Sequence, residues 1–222
     1  MQRREFSISA AALAGAACAG AVSFGFSGPA LAQGKVPQEG TDYLTLDKPA
    51  PTEAATGKIE VVEFFWYSCP HCNAFEPQLE SWIKKLPKDV VIRRVPVSFR
   101  PEFEPQQRLY YVLESMGKVD EMQMKVFNAI HLDRLPLTNG EQITAWVEKQ
   151  GINKAAFVEA YNSFPIVTKV RKATQLQDQY KVQGVPAIGI AGRFYTDGTQ
   201  ARTMDRALII TDYLIGLARK GK

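Results

Sequence analysis

The chain has little of the residues that build disulfide frameworks and metal centres. Its 222 residues include three cysteines and two histidines. This excludes a cysteine-rich scaffold and leaves few ligands for a structural zinc site, which usually takes four Cys or His side chains. Two of the cysteines share one tetrapeptide, Cys69-Pro70-His71-Cys72. That tetrapeptide is therefore the first candidate for chemistry.

A strong charge of either sign is also missing. The 27 basic and 23 acidic side chains leave a net charge of +4. Because both signs are spread along the chain, we expect no nucleic-acid partner. The composition is otherwise that of a globular protein, with 45% hydrophobic and 23% charged residues, which excludes a disordered or fibrous chain.

The N-terminal segment resembles an export signal. Residues 6–34 carry no charge, follow Arg3-Arg4 and include Ala30-Leu31-Ala32, an A-x-A site of the kind that signal peptidase cuts. We predict a signal peptide at residues 1–32, removed together with Cys18, and a mature protein in the bacterial periplasm. The paired arginines are similar to a twin-arginine signal, and the general secretory route stays open. An uncleaved membrane anchor is the alternative, since the segment is long enough to span a bilayer.

A strand, a helix and a second strand surround the tetrapeptide. Residues 59–67 are β-branched and aromatic on both faces, which is typical of a strand that is covered on both sides. Pro70 suits the first turn of a helix, and apolar residues then recur at helical spacing up to Pro87. A second apolar run follows at residues 90–99. This order predicts a parallel βαβ unit with Cys69 at the start of its helix.

The rest of the chain separates into a helical part and a closing part. Residues 101–183 have little strand signal and several helical stretches. A short strand at 187–191, a hairpin and an amphipathic helix follow. We therefore predict an α/β domain of residues 33–100 and 184–222, interrupted by a helical domain at 101–183.

A Cys-x-x-Cys between a buried strand and its helix is typical of thioredoxin-like redox proteins. A zinc site would have only Cys69, Cys72, His71 and His131 after the signal, and His71 lies between the cysteines in poor geometry. Covalent haem needs His where Asn73 stands. A purely structural disulfide would close a loop too small to remove much chain entropy. We therefore expect redox chemistry without a metal or another cofactor.

The two cysteines should differ in acidity. Cys69 at the helix start can point its sulfur at unpaired backbone N–H groups and at the positive end of the helix dipole, which stabilises a thiolate. His71, if protonated, adds a nearby cation. Cys72 lies one turn further along, nearer the apolar face, and should be shielded and titrate higher. We predict that Cys69 attacks and Cys72 resolves, and that a stabilised dithiol makes the disulfide a stronger oxidant.

Glu63 stands among apolar residues in the first strand, where a buried carboxylate is costly. One interpretation places it at an edge, where it reaches water or pairs with Arg93 or Arg94. The other makes it a proton relay below the cysteines. Both interpretations remain open on sequence alone.

Pro186 lies where a strand begins, and proline there forfeits a ladder hydrogen bond. A cis Val185-Pro186 bond would leave backbone groups free to pair with an extended polypeptide, whereas an ordinary trans turn is the alternative.

Several of these segments resemble the DsbA family of periplasmic disulfide oxidases over essentially the whole chain after the signal. They are Glu63-Phe64-Phe65, Cys69-Pro70-His71-Cys72, Phe75-Glu76 and Gly184-Val185-Pro186-Ala187. The resemblance implies a thioredoxin fold with an inserted helical domain, a nucleophilic Cys69, a resolving Cys72, a buried acid at Glu63 and a cis proline at Pro186. One departure is Pro96, where some relatives have His, and Arg94 is a candidate for the basic partner of the acid.

The resemblance also implies a function. We expect a monomeric oxidase that passes the Cys69–Cys72 disulfide to unfolded exported polypeptides and is reoxidised by a DsbB-like membrane partner. Pro70, His71 and Glu63 would tune the thiolate, and Val185 and Pro186 would contact the substrate. The alternatives are a disulfide isomerase or reductase, although only residues 33–68 precede Cys69, too few for a dimerisation domain. A non-catalytic peptide-binding module is a further alternative.

Overall fold

The computed structural model describes residues 35–221, so the predicted signal peptide at residues 1–32 lies outside the described residues. Within 35–221, no helix combines the length and the apolar character that crossing a membrane requires.

One mixed sheet of five strands forms the centre of this part of the chain. The strands are β1 (Leu44–Thr45), β2 (Ile59–Phe65), β3 (Val90–Pro96), β4 (Ala187–Ile190) and β5 (Phe194–Asp197). They lie in the order β1-β5-β4-β2-β3. Strand β2 is parallel to β3 and antiparallel to β4. Because β2 has a partner on each side, the edge position considered for Glu63 is wrong.

Helices account for most of the remaining chain. They are α1 (Pro70–Ile83), a 3-10 turn (Pro101–Phe103), α2 (Glu104–Ser115), α3 (Val119–His131), α4 (Gly140–Lys149), α5 (Lys154–Tyr161), α6 (Phe164–Gln179), α7 (Gly198–Ala201) and α8 (Met204–Arg219). Helix α1 connects the parallel strands β2 and β3, as the sequence predicts. Helices α2 to α6 all lie between β3 and β4 in the chain, and the predicted α/β class with a helical insertion is confirmed.

Strand β2 is buried on both faces, which explains its continuous apolar sequence. Phe64 packs against Tyr180, which follows α6, with ring centroids 5.2 Å apart. Val61 belongs to a second apolar cluster that includes Leu79 of α1 and Leu214 of α8. Val61 and Phe64 point to opposite faces of the sheet, because neighbouring side chains of a strand alternate in direction. Two carboxylates are the exceptions in this strand: Glu60 is 3% exposed, and Glu63 is fully buried.

Several elements are shorter than their sequence patterns. Strand β2 ends at Phe65 because the chain turns immediately afterwards, where the amide of Cys69 donates to the carbonyl of Trp66 (3.0 Å). Strand β4 ends at Ile190 because Ala191 takes a left-handed conformation, with φ of 54°. Such turn geometry is hard to recognise from apolar patterning, which continues through the turn residues in both places.

Candidate active site

Cys69 is the N-cap residue of α1, and Pro70 is the first residue of the helix. The backbone of Cys69 is extended, with φ of −80° and ψ of 118°, and its side chain stands next to the free amides of the first helical turn. Pro70 has no amide hydrogen, so it begins the helix without losing a hydrogen bond. Cys69 and Cys72 are both free thiols; Cys69 is 7% exposed, and Cys72 is completely buried.

The two thiols have opposite shifts in pKa. The pKa of Cys69 falls from its ordinary value of 9.0 to about 6, chiefly because the Cys72 thiol donates a hydrogen bond to it. The backbone amides of Cys72 and His71 and the charge of His71 lower it further, whereas burial opposes the change. The pKa of Cys72 is raised well above 9.0, first by burial and then by its interaction with Cys69. The directions agree with the sequence prediction, but the contact from Cys72 was not anticipated.

The segment before β4 brings Pro186 beside Cys69. The Val185–Pro186 peptide bond is cis, and the Cys69 thiol donates to the carbonyl of Val185 with Sγ and the oxygen 3.4 Å apart. A groove of about 480 Å³ begins there and is open to solvent. Its lining comes from His71, residues 183–186, residues 197–199 and residues 202–204. The structure thus places the carbonyl of Val185 beside the Cys69 sulfur, and His71, Val185 and Pro186 line the adjoining groove.

Glu63 belongs to a buried cluster of charges, which we call the acid cluster and define as Glu63, Glu76, Glu80 and Arg94. One guanidinium nitrogen of Arg94 lies 3.0 Å from Glu63 and 2.8 Å from Glu76, and the other contacts Glu80. Glu63 and Glu76 are fully buried, whereas the side chain of Glu80 is 40% exposed. Sequence reasoning considered Arg94 but missed Glu76 and Glu80. Their spacing was the available signal, because Cys72, Glu76 and Glu80 recur every fourth residue on one face of α1.

Burial favours the protonated form of the Glu63 carboxyl. Burial raises its pKa from 4.5 to about 8; Arg94 opposes this change, and the charges of Glu76 and Glu80 add to it. One guanidinium cannot neutralise three carboxylates, and among the described atoms Oε1 of Glu63 and Oε1 of Glu76 have no hydrogen-bond partner. The charge of Glu63 also contributes to the raised pKa of Cys72. A proton-holding acid is therefore coupled electrostatically to the buried thiol.

Three polar side chains of the helical insertion reach the residues before Cys69, and sequence reasoning did not identify their contacts. Gln123 accepts a hydrogen bond from the hydroxyl of Tyr67 (2.7 Å), and Gln106 contacts Ser68. His131, considered above as a zinc ligand, lies with Nε2 2.8 Å from the carbonyl oxygen of Tyr67. Within residues 35–221, no three His, Cys, Asp or Glu side chains are grouped so that they could hold a metal ion.

The chain is similar to proteins of one family over most of its length. Residues 60–208 match the family described as DSBA-like thioredoxin domain. The chain is 34% identical over 189 residues to the thiol:disulfide interchange protein DsbA of Burkholderia cepacia, covering 85% of this chain and 89% of that protein. It is 39% identical over 184 residues to the protein of the same name from Bordetella pertussis, covering 82% and 87%.

Solved structures give the same result. The crystal structure of Pseudomonas aeruginosa DsbA superposes with a TM-score of 0.79 at 38% identity, covering 83% of this chain and 95% of that chain. The oxidoreductase DsbA from Xylella fastidiosa superposes with a TM-score of 0.78 at 28% identity, covering 84% and 100%.

Proposed function

The chain belongs to the DsbA family, and from this premise we propose that it is a disulfide oxidase that donates the Cys69–Cys72 disulfide to unfolded exported polypeptides. Membership establishes the thioredoxin fold and the class of enzyme, a thiol:disulfide oxidoreductase. The proposal adds the direction of the reaction and the roles of individual residues. It rests on one observation: Cys69 is an acidic thiol at a helix start, whereas its partner Cys72 is buried with a raised pKa.

The first step is attack by a client thiolate on Sγ of Cys69. A bond forms between the client sulfur and Cys69, the Cys69–Cys72 bond breaks, and its electron pair leaves on the sulfur of Cys72. A buried thiolate with a raised pKa takes up a proton readily. We assign the donor as Glu63, because it holds a proton at neutral pH and is coupled to Cys72. In this proposal Glu63 both pairs with Arg94 and transfers a proton to Cys72.

The second step releases the oxidised client. A second client thiolate attacks the client sulfur of the mixed disulfide, and Cys69 leaves as a thiolate. The Cys72 thiol and the amides of His71 and Cys72 stabilise that thiolate, which makes Cys69 a good leaving group. Two electrons then reside on the enzyme dithiol, so the reduced enzyme is the favoured product. Pro70 and His71 contribute by starting the helix and by adding positive charge.

Client polypeptide is proposed to bind where Val185 and Pro186 meet Cys69. A client sulfur that reaches Sγ of Cys69 must approach the Val185 carbonyl, which lies 3.4 Å from that sulfur. This carbonyl can accept from a client backbone amide, and the groove beside it leaves room for neighbouring client residues.

A full catalytic cycle requires an acceptor for the two electrons. We propose a DsbB-like membrane protein, whose disulfide the Cys69 thiolate attacks, and we propose that the enzyme acts as a periplasmic monomer. The A-x-A site after an uncharged N-terminal segment supports export to that compartment.

The proposal is tested by equilibrating the enzyme with glutathione buffers and measuring the oxidised fraction. An oxidase should stay reduced in buffers where a reductase forms its disulfide, so a midpoint near thioredoxin's, about −270 mV, would contradict it. The matched assay follows oxidation of a reduced, unfolded two-cysteine polypeptide. Replacing Cys69 and Cys72 together by Ser should abolish that oxidation; unchanged function in cells would favour a non-catalytic peptide-binding module.

A further inference from the structure

The turn that precedes Cys69 is held largely by the helical insertion. Its own backbone supplies the hydrogen bond from the Cys69 amide to the Trp66 carbonyl (3.0 Å). The next contacts come from elsewhere in the chain: Gln106 of α2 binds Ser68, and His131 of α3 binds Tyr67. The backbone groups of two consecutive residues before Cys69 are therefore held by two different helices of the insertion.

Gln106 binds Ser68 through both the oxygen and the nitrogen of its side-chain amide. Its Oε1 accepts from the backbone amide of Ser68 (3.2 Å), and its Nε2 donates to Oγ of Ser68 (2.7 Å) and to the carbonyl of Leu137 (3.3 Å). The orientation of the amide is determined by chemistry, because a backbone N–H can only donate and a carbonyl can only accept. Gln106 is 2% exposed, so these contacts are made without competing water.

His131 makes the second contact. A carbonyl accepts only, so the Nε2 atom that lies 2.8 Å from the Tyr67 oxygen carries a hydrogen and donates it. The ring is also stacked near Phe127, with centroids 6.1 Å apart, which orients it toward the turn.

We propose that Gln106 and His131 are positioning residues for Cys69, and we call the pair the turn clamp. The inference rests on the proposed function, in which Cys69 is the reactive sulfur. The amides of His71 and Cys72 stabilise its thiolate only while Cys69 keeps the extended N-cap conformation, and the residues immediately before it decide that conformation. Gln106 and His131 thus act on the chemistry through the turn rather than by a hydrogen bond to a reacting sulfur.

The chain contains a matched control for Gln106. The neighbouring Gln107 is equally buried, at 1% exposed, and its amide donates to the carbonyl of Pro96 (2.8 Å) rather than to the turn. Gln106→Met and Gln107→Met therefore remove an amide of the same size from the same helix, but only Gln106→Met removes the contact with Ser68. A merely structural role predicts equal effects from the two variants.

The test is the pKa of Cys69, read from the ultraviolet absorbance of its thiolate against pH in the reduced protein. We expect Gln106→Met to raise this pKa by about 0.5 to 1 unit, since a displaced Cys69 would lose about one hydrogen bond from the helical amides to its thiolate, which is a change of that order. Gln107→Met should leave it unchanged. In glutathione buffers, Gln106→Met should be about three- to tenfold less oxidising, in proportion to the shift.

Two further variants test the clamp by smaller changes. Ser68→Ala removes one acceptor of Gln106 and should raise the pKa of Cys69 by less than Gln106→Met does. Combined with Gln106→Met, it should add almost nothing, because both act through one contact. His131→Phe should raise the pKa as well, whereas His131→Gln, which keeps an N–H donor, should restore it.

The outcomes separate this inference from the proposed function. A wild-type Cys69 that titrates near the free value of about 8.5 would overturn both. Two results would overturn the turn clamp but leave the proposed function standing. In both, the pKa of Cys69 is depressed in the wild type; in the first it is unchanged in Gln106→Met, and in the second Gln107→Met raises it as much as Gln106→Met does. If Gln106→Met does not fold, Ser68→Ala is the test instead, and an unchanged pKa of Cys69 in Ser68→Ala would overturn the turn clamp.

Discussion

Replacing Glu63 by Gln should stabilise the protein, by an amount that grows as the pH rises from about 4.5 to about 8. In the folded chain the pKa of Glu63 is about 8, against an ordinary value of 4.5. Between these values the unfolded chain releases a proton that the folded chain keeps, so the contribution of Glu63 to stability is complete below pH 4.5 and is lost as the pH rises toward 8. A raised pKa of this size corresponds to about 5 kcal/mol at most, at about 1.4 kcal/mol per unit.

The glutamine side chain of this variant has nearly the shape of the protonated carboxyl and does not titrate. We therefore expect the free energy of unfolding of Glu63→Gln to match that of the wild type near pH 4 and to exceed it by several kcal/mol near pH 8. The expectation opposes the view that the contact between Glu63 and Arg94 is a stabilising salt bridge, since burial outweighs the attraction.

The assay is urea unfolding of the reduced protein at a series of pH values. Glu53→Gln is the control, because Glu53 also pairs with an arginine, Arg93, but its side chain is 61% exposed. This control should change stability by less than about 1 kcal/mol at any pH. The reasoning would be refuted if the free energy of unfolding had the same pH dependence in Glu63→Gln and in the wild type, or if Glu63→Gln were less stable than the wild type at pH 8.

Three other predictions concern the cysteines. The rate at which an alkylating reagent modifies Cys69 should rise through pH 6 and level off above it, since the thiolate reacts and its pKa is about 6; a rate still rising at pH 8 would contradict this. Cys72→Ser should accumulate client polypeptides linked to Cys69, visible on non-reducing gels, because the Cys69 thiolate can still attack a client disulfide, whose other sulfur leaves as a thiolate, and no Cys72 is present to release the client. Cys69→Ser should accumulate none. His71→Ser should make the enzyme about two- to fivefold less oxidising toward glutathione, as the smallest of the contributions that lower the pKa of Cys69; an unchanged equilibrium would assign the effect to Cys72 and the backbone amides alone.

Strand register, rather than residue type, decides which arginine pairs with Glu63. The residues by themselves could not choose between Arg93 and Arg94, which are adjacent on β3, although the family resemblance pointed to Arg94. In the parallel pairing Glu63 stands opposite Arg94, and Val62 stands opposite Arg93. Because neighbouring side chains of a strand point to opposite faces, only Arg94 reaches the buried acid, and Arg93 contacts Glu53 and Glu60 instead.

The properties that the sequence determined by itself are local ones. A Cys-x-x-Cys after a buried strand and before a helix puts one sulfur at the helix start and the other one turn along, so the direction of the difference in acidity follows from the spacing, whereas the hydrogen bond from Cys72 to Cys69 does not. Apolar runs and proline positions likewise predicted β2, α1, β3 and the helical insertion, because each pattern acts within a single element. The family resemblance came from the same short segments.

Contacts between distant segments were decided only by the tertiary structure. Gln106 and His131 reach the turn before Cys69 from helices 38 and 64 residues away along the chain, and no periodicity marks a glutamine or a histidine for that purpose. The acid cluster likewise needs one helix and two strands to bring three carboxylates to one guanidinium. A buried polar group must find its partner in whatever packs against it, and that neighbour is known only once the chain has folded.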